Sequence, residues 1–204
     1  MPLGNWVLAQ ACTQMRLWRD ACQDASLRMS VNVSSLQLNQ RDFVARVREA
    51  LAQAQLSATQ LTLEVTESVL MNNIEGAVPI LKELRGMGCT LSIDDFGTGY
   101  SSLNYLATLP IDALKVDRSF VERMTGDGQA NEIVKAIFKL GQVLNKDVYA
   151  EGIETGGQLL LLQELGCEYG QGFLLSRPLD ADTVIPSLAG RLETVTAAEP
   201  ATIH

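Results

Sequence analysis

Short runs rich in apolar and β-branched residues recur along the chain. They lie at 27–34 (LRMSVNVS), 61–67 (LTLEVTE), 90–96 (TLSIDDF), 113–117 (ALKVD), 147–153 (DVYAEGI) and 169–175 (YGQGFLL), and each reads as a strand. Between most of them the apolar positions return at helical spacing. Phe43, Val47 and Leu51 mark one such face, and Ile133, Ala136, Ile137, Leu140 and Leu144 another. A first helix is expected over roughly 5–21, whereas the segment before Asp112 is long enough only for a brief one. Repeated β-α-β order predicts right-handed crossovers and a parallel sheet, either open or closed as a barrel. No linker interrupts the pattern, so one domain is expected over 1–191, with a disordered or loosely packed tail over 192–204. The Gly-Cys pairs that precede two strands, in MGCTL and LGCEY, read as turn chemistry rather than as a repeat.

One feature favours the barrel. Nearly every predicted strand delivers a polar group near its carboxyl end: Asn32, Glu64 with Glu67, Asp94 with Asp95, Lys115 with Asp117, Glu151 with Glu154, and Gln171. In a parallel barrel those ends converge on one face, where the βα loops build the site. A lone strand-end Asp is commonly just a helix cap. Six positions with oxygen-rich chemistry call for more than capping. Two adjacent carboxylates repel and are costly to remove from water without a compensating cation or donor. Side chains of Asn, Glu, Asp and Gln are hard oxygen ligands suited to Mg²⁺, Mn²⁺ or Ca²⁺. Paired ions of that kind commonly drive phosphate-ester hydrolysis. The alternative on residue types is a buried Asp94–Lys115 ion pair without metal, which leaves Asn32, Glu64, Glu151 and Gln171 unexplained.

Composition narrows the chemistry. Hydrophobic residues make up 47% of the 204, enough for one sizeable core. No apolar run reaches the roughly 18–20 residues needed to span a bilayer, and the N-terminus lacks secretory features, so a cytoplasmic chain without a membrane segment is expected. His204 is the only histidine, which excludes a mechanism built on a positioned imidazole. The four cysteines form no CxxC pair and read as free thiols. A net charge of −8 disfavours binding to a nucleic-acid polymer, and bound metal could attract an anionic substrate instead. The GTGYSS turn lacks the P-loop pattern; its glycines permit a tight loop, and Ser101 and Ser102 look like caps for the next helix.

The motifs together resemble the EAL domain of bacterial cyclic di-GMP phosphodiesterases. The resemblance runs nearly end to end through WVL..AC.Q...W, VNVS, LEVTES, IDDFGTGYSSL, LKVDRSF, AEGIET and GQGFLLSRP. It implies a TIM-like (β/α) barrel that binds two Mg²⁺ or Mn²⁺ ions and hydrolyses cyclic di-GMP to linear pGpG. Carried over by position, Asn32, Glu64, Asp94, Asp95 and Glu151 would be metal ligands. Lys115 would position the attacking water, and Gln171 would support the metal–water shell. Glu67 would steady the loop that starts at Asp95, through which a homodimer communicates. Glu154 would stand behind the ligands, Phe173 near a guanine, and Asp117 beside the substrate. Sensory or GGDEF-type domains commonly precede such a domain.

The chain also departs from that family. The Glu-x-Leu strand that names it should precede Asn32, yet the 31 residues there read as one helix and its loops. The Glu49-Ala50-Leu51 triplet is a decoy inside an amphipathic segment, with Glu49 off the apolar face. About six of eight strands are therefore expected, leaving an open seam between strands 27–34 and 169–175 and a start at Met1 that looks like a fragment. Loss of a metal-ligating Glu should impair catalysis, and a non-enzymatic module binding cyclic di-GMP or a protein is the alternative function.

Overall fold

The computed structural model describes residues 3–99 and 103–186. Six parallel strands form one sheet in chain order: β1 (Met29–Asn32), β2 (Leu61–Thr66), β3 (Thr90–Phe96), β4 (Ala113–Val116), β5 (Asp147–Ala150) and β6 (Tyr169–Gly170). Helices fill the crossovers, and the sheet curls into a half-barrel whose edges are β1 and β6. The predicted seam is thus present among the described residues. At the helix layer, the Trp18 indole N–H donates to the Ala181 carbonyl at 3.0 Å, joining the first helix to the segment after β6.

Strand alternation decides which way each side chain points. Val31, Leu63, Val65, Leu91, Ile93, Leu114, Val116 and Ala150 face outward and are buried under the helices. Against them pack α1 (Leu3–Cys22) through Leu8, Cys12 and Met15, and α3 (Phe43–Ala54) through Phe43, Val47 and Leu51, with α2 (Ser35–Leu38) between. Then come α4 (Glu67–Asn72), α5 (Ile74–Gly86), the brief α6 (Leu103–Thr108), α7 (Arg118–Arg123), α8 (Gly128–Leu144) and α9 (Gly156–Glu164). The inner face is polar, so the apolar core lies between sheet and helices, and the barrel interior is left for chemistry.

Several boundaries differ from the sequence reading. The strand expected to 153 stops at Ala150, and the one expected over 169–175 is only Tyr169–Gly170. The chain after Gly170 turns, with Leu175 and Ser176 N–H both donating to the Gly172 carbonyl at 3.0 Å. Glu67 and Asp117 open helices rather than end strands. On α8 the buried face is Ala130, Val134, Ile137, Phe138 and Gly141, while Ala136, expected in the apolar stripe, is exposed because a small side chain loses little by facing solvent. The two Gly-Cys pairs are helix stops. Gly88 (φ +103°) and Gly166 (φ +77°) take the left-handed turn, and Cys89 and Cys167 N–H reach back to the Leu84 and Leu162 carbonyls. Cys12 and Cys89 are buried, which pushes both thiols up to about 11, and Cys22 and Cys167 are partly covered. The expected tail over 192–204 and the Ser101 and Ser102 caps lie outside the described residues.

Candidate active site

Adjacent residues in a regular strand face opposite sides, so Asp94 and Asp95 could not both turn inward without a break in the pleat. The break is visible. The β3–β4 register shifts between Ile93 and Phe96, and Asp95 adopts φ +53°, a left-handed conformation that Asp tolerates better than most residues. Asp95 N–H donates to Asp94 Oδ1 at 3.1 Å, which fixes the bend. As a result Asp94, Asp95 and Glu151 each turn one oxygen to a common point, all within 4.8 Å of one another.

Lys115 enters from β4. Its ammonium lies 2.7 Å from Glu64 Oε2 and 3.2 Å from Asp94 Oδ1, and it also contacts Glu151 Oε1. The Asp94–Lys115 pair expected from residue types is therefore real, but one cation serves three acids. Burial alone would lower the lysine; hydrogen bonds to Glu151 and Glu64 outweigh it and hold the ammonium well above its ordinary range. Four carboxylates (Glu64, Asp94, Asp95 and Glu151) face a single ammonium, leaving three negative charges uncompensated among the described residues. The strain registers in two of them. Glu151 is pushed up by burial, which outweighs the pull of Lys115, with Asp94 and Glu64 adding repulsion. Asp95 is pushed up by burial, then by Asp94 and Asp117.

The remaining predicted residues surround this cluster. Gln171 Nε2 donates to Glu151 Oε1 at 2.9 Å, and its backbone continues the pairing with Ala150 beyond the end of β6. Buried Glu67 accepts from Gly97 N–H at 2.9 Å and Gly99 N–H at 3.2 Å, so it ties down the backbone just after Asp95. Asp117 caps α7 through Ser119 N–H at 2.9 Å, a structural duty, while standing close enough to raise Asp95. Asn32 closes the edge strand β1 in register with Glu64 and is exposed. Glu154 pairs with Arg118 at 2.7 Å. Phe173 is 47% exposed.

Two cavities meet at the cluster. One of about 390 Å³ lies inside the half-barrel, walled by Ser30, Thr62, Ser92, Lys115 and the stacked Tyr149 and Tyr169 rings. The other, about 400 Å³, opens at the mouth between Arg118, Glu151, Gln171, Phe173 and Arg177. Sequence reasoning missed both arginines. Their signals were present, in Arg118 directly after Asp117 and Arg177 four residues beyond Phe173. An all-oxygen, net-negative cluster opening on a cleft suits hard divalent ions and, through them, a phosphate ester.

The profile of the family described as EAL domain matches residues 1–178. The bifunctional diguanylate cyclase/cyclic di-GMP phosphodiesterase MucR of Pseudomonas aeruginosa is 46% identical over 187 residues, covering 92% of this chain and 27% of that protein. Cyclic di-GMP phosphodiesterase NbdA of the same organism is 50% identical over 177 residues, covering 87% of this chain and 22% of that protein. The chain thus spans about a quarter of the length of these relatives. Among solved structures, the PaMucR phosphodiesterase in complex with c-di-GMP superposes with TM-score 0.86 at 47% identity, covering 89% of this chain and 73% of that one. The EAL domain of Mycobacterium smegmatis DcpA gives TM-score 0.87 at 38% identity, covering 92% and 84%.

Proposed function

Because the chain belongs to the EAL domain family, we propose that it is a phosphodiesterase module that binds two divalent ions, Mg²⁺ or Mn²⁺, and cleaves cyclic di-GMP to linear pGpG. The observation that carries this reading is the charge imbalance: four convergent carboxylates against one ammonium, with oxygen the only donor type. Asn32, Glu64, Asp94, Asp95 and Glu151 would hold the ions. Bound there, the ions supply Lewis-acid activation of water and a clamp on the attacking and leaving oxygens.

The chain's own residues have separate duties in this reading. Lys115 keeps its proton, spaces Glu64, Asp94 and Glu151 apart, and can donate to the incoming water. Gln171 fixes the rotamer of Glu151, so one carboxylate oxygen stays turned to the cluster. Glu67 anchors Gly97 and Gly99 and so holds Asp95 in its bent conformation, coupling the ligand to the loop that would join a homodimer. Phe173 offers a ring for a base at the mouth, and Asp117 and Glu154 hold Arg118 and α7 beside it. A second reading, a cyclic di-GMP-binding module without turnover, is favoured by one observation. Asn32 sits on the edge strand β1, supported by a neighbouring strand on one side only among the described residues.

The test is direct. Purified chain with Mn²⁺ and cyclic di-GMP should yield pGpG by liquid chromatography, and Glu151→Ala should abolish the yield. Saturable nucleotide binding with no product would replace the enzyme by the binding module; neither binding nor product would sink both.

A further inference from the structure

The two arginines of the mouth cavity are in different situations. Arg118 is engaged, with Nη2 at 2.7 Å from Glu154 Oε1 and 3.5 Å from Glu122 Oε1. Arg177 forms no ion pair among the described residues; its guanidinium lies over the Phe173 ring, 4.9 Å from the centroid. In an acidic chain, an arginine beside a carboxylate cluster that pairs with aromatic carbon instead is held for another purpose.

Its placement is set by backbone. Leu174 N–H donates to the Ile153 carbonyl and Ser176 N–H to the Gly172 carbonyl, each at 3.0 Å. A Cβ on Gly172 would lie 2.2 Å from Ile153 N and O, so only glycine lets this turn seat against the strand that ends beside Glu151. The turn over 173–175 folds the chain back so that the Arg177 side chain, four residues on, meets the Phe173 ring. With its Cζ over the ring, the planar guanidinium still carries its N–H groups as a fork that fits two neighbouring acceptors. Within cyclic di-GMP, that description fits the phosphate oxygens and the O6/N7 edge of guanine. The phosphates must reach the carboxylate cluster. A ligand group lying in the guanidinium plane, along the same exposed ring, is a base.

We infer that Arg177, steadied by Phe173, reads the O6/N7 edge of one guanine and thereby sets guanine-over-adenine selectivity at this site. The inference rests on the nucleotide substrate proposed above. Adenine presents an amino donor where guanine has O6, so the same fork meets a repelling hydrogen.

Isothermal titration of the whole chain in Ca²⁺ with cyclic di-GMP and with cyclic di-AMP tests it, using wild type, Arg177→Met and Arg177→Lys. Arg177 is exposed, so all three should fold, with matching thermal midpoints as the control. Wild type should prefer cyclic di-GMP, and Arg177→Met should lose on the order of ten- to hundredfold of that preference by weakening the guanine ligand alone. Arg177→Lys, charged but without the fork, should recover affinity without recovering selectivity. Equal weakening of both ligands would assign the arginine to phosphate and overturn the inference, as would unchanged binding in Arg177→Met or full selectivity in Arg177→Lys. Wild type that binds no cyclic di-GMP at all would instead overturn the proposed function beneath it.

Discussion

Replacing Lys115 by methionine removes the one cation from the carboxylate cluster while keeping most of the side-chain volume. The ammonium is 7% exposed, and its partners Glu64, Asp94 and Glu151 are 8%, 13% and 14% exposed, so little water can take over. Removing one partner of a buried ion pair costs about 3–5 kcal/mol. Against a domain stability of about 5–15 kcal/mol that is a large share. For a chain of this size each kcal/mol moves the midpoint by about 2–4 °C, so the variant should melt roughly 6–20 °C lower in EDTA. The assay is thermal unfolding followed by circular dichroism. Lys115 is held above its unfolded value, so its contribution is complete below about pH 10 and disappears only as pH rises through the folded value. The gap between wild type and variant should therefore be constant from pH 7 to 9. Added Mn²⁺ should raise the variant's midpoint more than the wild type's, since a metal now has no ammonium to share the acids with. A variant melting within about 2 °C of wild type in EDTA would refute the reasoning. It would mean the acids are not balanced by this lysine.

Three further outcomes follow from the same geometry. Glu67→Gln gives up charged acceptance from two backbone amides, so the Gly97 and Gly99 N–H groups should exchange with deuterium roughly ten- to hundredfold faster; unchanged protection would show the loop is held elsewhere. Asp95 is pushed up in the fold, so the stability its proton contributes is lost as pH rises through the folded value. Asp95→Asn should accordingly melt above wild type at pH 7–8 in EDTA, converge with it towards pH 4, and fall below it in Mn²⁺; identical curves in EDTA at both pH values would contradict this. Glu49 is exposed on α3 and, among the described residues, accepts a hydrogen bond from Gln53 one turn along, so Glu49→Gln should leave turnover unchanged and stability within about 0.5 kcal/mol, and a loss of turnover would place the family's named glutamate here after all.

Strand order was legible because β1 to β5 each carry an apolar outer face that only a helix-covered parallel sheet can bury, whereas both residues of β6 are exposed. The boundaries were less so. Hydrophobicity continues through Ile153 and through Phe173–Leu175, but Gly172 and the hydrogen bonds around it bend the backbone away, a tertiary constraint that periodicity cannot register. Ala136 failed for a related reason: alanine is apolar enough to count toward a stripe and small enough to sit outside it.

For the site, residue types named the chemistry but not the couplings. The sequence placed Asp94 next to Asp95, yet a strand pattern sends adjacent side chains to opposite faces; what unites them is the left-handed turn at Asp95. That turn in turn requires a buried acceptor for the amides that follow, which Glu67 provides from the preceding crossover, 30 residues earlier in sequence at Gly97. Glu67 opens α4 just after β2 while Asp95 lies on β3, so neither motif predicts the other. Should Glu67 be silenced without Asp95 changing its affinity for Mn²⁺, the bend would be intrinsic to β3, and the loop would have no route by which to influence the cluster.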